Sequence, residues 1–205
     1  MPAITEALNR LREGNRRFVE RLLKLPDRLP SELSSGQSPF AVILGCSDSR
    51  VPAELVFDQG LGDLFVIRVA GNIVAPTQIG SVEFAATQFG TPLVVVLGHG
   101  SCGAVTATLS EMTTPTDGAS RNLRSIVSRI EPALKPLMER GAWDDQDKLM
   151  GAAVRANVRA SVQQLKAGSQ ILEGLINERK LMIVGAEYNM QSGEVTFLDL
   201  PEELA

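Results

Sequence analysis

The chain has 205 residues, a formal net charge of −4 and 44% hydrophobic residues, enough for one domain with a substantial core. It carries no strongly basic block for nucleic acid and no apolar run near the length of a membrane span. The N-terminal "MPAITEALNRLREGNRRF" lacks the apolar segment of a signal peptide, so a cytoplasmic location is expected.

Residues 4 to 25 are expected to form a long helix. Ile4, Leu8, Leu11, Phe18 and Leu22 fall at helical spacing. The basic residues Arg10, Arg17, Arg21 and Lys24 are interleaved with Glu6, Glu13 and Glu20, which reads as a solvated face rather than a membrane surface. The Pro-rich "LPDRLPSELSSGQSP" then separates this helix from the rest of the chain. Residues 1–38 are accordingly read as an N-terminal helical arm that packs on a partner subunit, and 39–205 as one α/β domain.

Within that domain "FAVILGC" (40–46) reads as a buried strand and "PAELVFDQ" (52–59) as a short helix or turn. "LFVIRVA" (64–70) is a second strand. Residues 77–90 form a helix with Ile79, Val82, Ala86 and Phe89 on one face and Gly90 as its stop. "LVVVLGH" (93–99) is a third strand, and "CGAVTATLSEM" opens a helix. Residues 111–120 are a loop. From 121 to about 179 the chain is mainly helical, interrupted by Pro132, Pro136 and Gly141. "LMIVGAEY" (181–188) is a further strand, and "NMQSG" turns into "EVTFL" (194–198), an antiparallel edge strand. Near-continuous apolar strands alternating with helices predict a parallel sheet covered on both faces.

The chemistry gathers at strand ends, where open parallel sheets bind ligands. The chain has two Cys and one His, too few cysteines for a disulfide framework. Cys46 ends the first strand and His99 the third, with Cys102 three residues beyond. In "GCSDSRVP" Cys46, Asp48 and Arg50 alternate, so they converge if extended geometry persists past the strand. Cys46, His99 and Cys102, with Asp48 as a possible fourth ligand, form a set that suits zinc, and three protein ligands with one position open is the catalytic pattern. The plainer readings are two buried thiols and a surface ion pair between Asp48 and Arg50, worth about 0–1 kcal/mol. "QGLGDL" (59–64) lacks a dinucleotide fingerprint and reads as turns.

With these residues assembled, the chain resembles the β-class carbonic anhydrases. The similarity is carried by "CSDSRVPAE" (46–54), "GDLFVIRVAGN" (62–72), "SVEFA" (81–85), "VVVLGHGSCGAV" (94–105) and "IVGAEYNMQSGEV" (183–195). The resemblance implies a central four-stranded parallel sheet with an added antiparallel edge strand, flanked by helices. It implies reversible hydration of carbon dioxide to bicarbonate, with Zn2+ held by Cys46, His99 and Cys102. Asp48 takes the fourth zinc position in a closed state and pairs with Arg50 in an open one. There the Asp48–Arg50 dyad orients a zinc hydroxide. Gln37 and Phe65 correspond to substrate-contacting residues supplied by a neighbouring subunit, which implies a homodimer or homotetramer. Two positions depart from family patterns: Phe84 stands where some members have Tyr, and Ile43 where a bicarbonate-regulated subgroup has Trp. Two thiolate ligands lead to the expectation that activity rises above neutral pH. With His99 on the metal, buffer or a water chain is expected to carry the proton. The competing readings are a carbonyl sulfide or carbon disulfide hydrolase on the same site, a non-catalytic zinc-binding module, and a dithiol redox protein.

Overall fold

A computed structural model describes residues 1–24, 33–114, 120–140, 143 and 145–204. The chain runs through α1 (Pro2–Val19), β1 (Ala41–Gly45), α2 (Ala53–Val56), β2 (Leu64–Arg68), α3 (Pro76–Gln88), β3 (Leu93–His99) and α4 (Gly103–Thr113). Then come α5 (Arg121–Glu139), α6 (Gln146–Ala167), α7 (Gln170–Asn177), β4 (Met182–Tyr188) and β5 (Val195–Leu198). Among the described residues the strands form one sheet in the order β2-β1-β3-β4-β5. All pairs are parallel except β4 with β5, as expected from the apolar strands and the closing hairpin.

Both sheet faces are covered. On one, Ile4, Ala7, Leu8 and Leu11 of α1 pack with Ile43, Val95, Leu97, Val184 and Ala186. On the other, Val42, Leu44, Val94 and Val96 meet Val82, Val158, Val162, Leu165 and Leu172 from α3, α6 and α7. A smaller cluster joins Cys46 and Cys102 to Val105, Ile130, Leu134 and Val154. The chain leaves β1 for β2, then crosses back over β1 to β3. That reversal opens a crevice between the carboxyl ends of β1 and β3.

Helix α1 is tied to its own chain. Asn15 Nδ2 donates to the carbonyls of Val56 and Gly193, at 3.0 and 2.9 Å, and its Oδ1 accepts from Val195 N at 2.8 Å. A Cβ on Gly14 would lie 1.8 Å from the Phe57 carbonyl oxygen, so only glycine permits this approach. The helix stops at Val19 rather than near residue 25, and Leu22, expected on the buried stripe, is 59% exposed. The Pro-rich tether falls partly on 25–32, outside the described residues.

The helical region differs from expectation at its prolines. Pro132 and Pro136 lie inside the single helix α5. An interior proline costs about 3 kcal/mol, but Ile130 and Leu134 are fully buried, each contributing about 1.5–3 kcal/mol. Ala133 and Leu137 add partial burial against the same cluster, and Ser120 caps the start by accepting from Leu123 N at 3.2 Å. Gly141 lies outside the described residues. No helix among the described residues is long and apolar enough to cross a membrane.

Candidate metal centre

Three elements bring the ligand atoms together. Cys46 is the first residue beyond β1, His99 the last of β3, and Cys102 the N-cap of α4. Gly45 pairs with Leu97, so Cys46 stands beside the end of β3. The turn from His99 to Cys102 is tight, with Ser101 in the left-handed region at φ 53°. Cys46, His99 and Cys102 are 6%, 0% and 1% exposed. Their ligand atoms all lie within 4.8 Å of one another, and the two Sγ atoms are 4.0 Å apart.

The histidine is oriented for coordination. Its Nδ1 lies 2.9 Å from the Gly100 carbonyl oxygen, which selects the tautomer with the proton on Nδ1. Nε2 is left with a free lone pair, and it is buried without a hydrogen-bond partner among the described residues. An orphaned buried nitrogen beside two thiols is costly in a plain core, and a metal ion held by the three would satisfy it. The soft sulfur, nitrogen, sulfur set fits zinc and not magnesium or calcium.

The electrostatics agree. The Cys46 thiol is lowered to about 4, first by the hydrogen bond from the Cys102 thiol and, against desolvation, by the Gly71 N–H. That N–H lies 3.3 Å from Cys46 Sγ. Cys102 is raised, because its thiol donates to Cys46 and its own anion would be buried beside a second thiolate. The second sulfur would become a thiolate only with a cation to offset the paired charge.

Asp48 and Arg50 sit at the mouth. Arg50 Nε and Nη2 donate to the two carboxylate oxygens at 2.9 and 2.7 Å, and Arg50 N donates to Oδ1 at 3.0 Å. The Arg50 hydrogen bonds hold the Asp48 carboxyl well below the usual carboxylate range, against partial burial. Asp48 Oδ2 is 3.9 Å from His99 Nε2. The convergence expected from an extended chain is achieved otherwise. Residues 49 and 50 form a turn, closed by Val51 N donating to Asp48 O at 3.1 Å. Arg50 therefore curls back onto Asp48, and its side chain stays 55% exposed.

Sequence reasoning passed over Arg68 as a site residue. Its Nε donates to Cys46 O at 3.1 Å and its Nη2 to Asp48 O at 2.5 Å, so it fixes the backbone that carries the ligand and the dyad. The available signal was an arginine closing the apolar strand "LFVIR" at the same sheet edge as Cys46. The Gly71 donor had no side-chain signal at all.

Gln37 and Phe65 are not brought to the metal cluster within the chain. Gln37 is exposed. Phe65 pairs with Val42, four residues before Cys46, or roughly 13 Å along the strand. It stacks instead with Phe84 and Phe89, at centroid distances of 6.3 and 6.2 Å. Beside the ligand turn lies an apolar groove of about 480 Å³ whose walls include Ala70, Gly103, Ala104, Ala107, Ile126 and Val127.

Comparison with known proteins gives one consistent result. A family model described as carbonic anhydrase matches residues 41–195. Carbonic anhydrase 2 of Mycobacterium tuberculosis is 39% identical over 194 residues, covering 92% of this chain and 90% of the relative. The carbonic anhydrase of Mycolicibacterium smegmatis is 39% identical over 188 residues, covering 90% and 88%. Among solved structures, a tetrameric β-carbonic anhydrase of Sordaria macrospora superposes with a TM-score of 0.75 at 23% identity, covering 92% of this chain and 94% of its own. At that identity the likeness speaks for the fold.

Proposed function

The chain belongs to the β-class carbonic anhydrase family, and on that premise we propose that it catalyses the reversible hydration of carbon dioxide to bicarbonate and a proton. Cys46, His99 and Cys102 would hold the zinc. The observation that carries this reading is the buried convergence of three ligand atoms within 4.8 Å, with His99 Nε2 lacking a hydrogen-bond partner among the described residues.

When bound, the metal supplies Lewis acidity that makes water a nucleophile near neutral pH. The chain's own residues do the rest. Arg50 clamps both oxygens of Asp48 in a bidentate fork, the geometry in which guanidinium suits carboxylate better than ammonium does. So held, Asp48 accepts a hydrogen bond from the attacking water and turns its lone pair toward the substrate carbon. Released from Arg50, the same carboxylate, 3.9 Å from His99 Nε2, would compete for the metal. Arg68 keeps the turn between them in place. The groove lined by Ala70, Gly103 and Ala104 supports an uncharged, apolar substrate.

The active unit is a homo-oligomer, a dimer or a tetramer, in which the N-terminal arm meets a partner subunit. Gln37 and Phe65 reach the metal of the neighbouring chain rather than their own. Gln37 then hydrogen-bonds a substrate oxygen, and Phe65 supplies a dry wall. The distance of Phe65 from its own Cys46 supports this assignment. Two buried thiolate ligands suit a reducing, cytoplasmic setting. No histidine is left to shuttle the proton, which assigns that task to water and buffer.

The test is a side-by-side assay of zinc-loaded protein with carbon dioxide, carbonyl sulfide and carbon disulfide. Hydration of carbon dioxide should dominate. Preferential hydrolysis of either sulfur substrate would assign the site to a different heterocumulene, and no turnover of any would leave a metal-binding module.

A further inference from the structure

Helix α6 carries two polar side chains one turn apart, Asn157 and Ser161, each only 2% exposed. An amide and a hydroxyl are buried at a cost unless they are bonded. Both reach off the helix to the same short turn, Ala70–Asn72. Asn157 Nδ2 donates to the Gly71 carbonyl at 2.8 Å, and Ser161 Oγ donates to the Asn72 carbonyl at 3.0 Å. The N–H of that turn's Gly71 points the other way, to Cys46 Sγ at 3.3 Å.

Glycine and asparagine tolerate this turn, but neither is confined to it. Gly71 has φ 71° and Asn72 φ 43°, both in the left-handed region, which for a residue with a side chain is sparsely populated. A Cβ on Gly71 would stand 2.8 Å from Ile130 Cδ1 and 3.0 Å from Ala104 Cβ. The turn is thus wedged between α4 and α5 on one side and anchored by α6 on the other.

We propose that Asn157 and Ser161 are positioning residues for the metal centre: they clamp the Gly71 and Asn72 carbonyls so that the Gly71 N–H donates to the Cys46 sulfur, and so set how strongly that sulfur donates to the metal. The inference rests on the zinc reading of the site. A hydrogen bond to a ligating thiolate draws electron density away from the sulfur, and outer partners of this kind tune a bound metal. The effect is largest where two thiolates already offset the charge of the cation. It gives α6 a task beyond covering the sheet.

Cobalt(II) in place of zinc makes the sulfur–metal bond visible as a charge-transfer absorption. The experiment records that band and the thermal midpoint for the whole protein and for Asn157→Leu, Ser161→Ala, Ser161→Thr and Val162→Ala. The band should move to longer wavelength in Asn157→Leu and, less, in Ser161→Ala. It should stay in place in Ser161→Thr, which keeps the hydroxyl. It should also stay in Val162→Ala, which removes packing on the same helix and lowers the midpoint. Carbon dioxide hydration by the zinc forms should fall about tenfold where the band moves. An unmoved band in the Asn157 and Ser161 variants, or an equal shift in Val162→Ala, overturns the proposal while leaving the zinc reading intact. If Asn157→Leu does not fold, Ser161→Ala against Ser161→Thr decides. Absence of any sulfur-to-cobalt band in the unsubstituted protein overturns both.

Discussion

The two ends of the β1–β2 pair are built on different plans. At the carboxyl end, Cys46, His99 and Cys102 are buried, held by contacts with Arg68, Gly71 and Gly100, with the Asp48–Arg50 pair beside them. At the amino end, Phe65 of the edge strand β2 packs ring against ring with Phe84 and Phe89 of α3 and its C-cap, and Phe84 is left 51% exposed. One end is a finished polar device. The other is an apolar surface on the sheet's outer edge. On the proposed function, metal binding belongs to one chain and the substrate wall to two.

Substitutions at the two ends should separate these properties. Cys102→Ser should have the largest effect, lowering hydration at least about a thousandfold with loss of zinc, because it removes a ligand and leaves the Cys46 charge buried without its cation. Metal analysis beside stopped-flow rates checks it; a zinc-replete, active variant would break the single-chain account of the metal. Arg50→Lys should lower turnover about a hundredfold while zinc stays bound, since a single ammonium does not hold both oxygens of Asp48. Full activity there would remove the dyad from the mechanism. Phe65→Ala should cost about tenfold in kcat/KM without loss of zinc. Mixing and re-associating Phe65→Ala chains with Cys46→Ser chains should then recover activity above either parent, because one of the two mixed sites has both a metal and an intact wall. No recovery on mixing would place Phe65 outside its neighbour's site.

The smallest expected effect is on acid stability. The folded-state pKa of Asp48 is lowered by Arg50. Its stabilisation is therefore fully present above the ordinary carboxylate pKa of about 4 and lost as pH falls through the depressed folded value. Asp48→Asn should melt below the parent at pH 6, and the gap should close on acidification below about pH 4. A gap that widens toward acid would contradict the clamp.

Much of this was legible in the sequence, for local reasons. Runs such as "LVVVLGH" are long enough and β-branched enough to read as buried strands, and a cysteine or histidine at the end of such a run is placed by the strand itself. The spacing from His99 to Cys102 is a short turn, so its two ligands are neighbours in any fold. The rest depended on contacts with no local signature. Pro132 and Pro136 read as breaks because propensity is local, whereas the burial of Ile130 and Leu134 is tertiary. The turn at residues 49 and 50 replaced an extended run because the Arg50 backbone and side chain both close on Asp48. Asn157 and Ser161 meet their carbonyl partners 86 and 89 residues away in the chain. Among the described residues Arg68 bonds only to backbone, which no motif records.

The most direct measurement is a zinc titration of metal-stripped protein followed by stopped-flow carbon dioxide hydration at about pH 8.5, where thiolate ligands and the activated nucleophile are both formed. The rate should climb with added zinc, level off at one ion per chain, and increase from neutral to alkaline pH at full loading. A rate independent of zinc, or no hydration at one zinc per chain, would contradict the account.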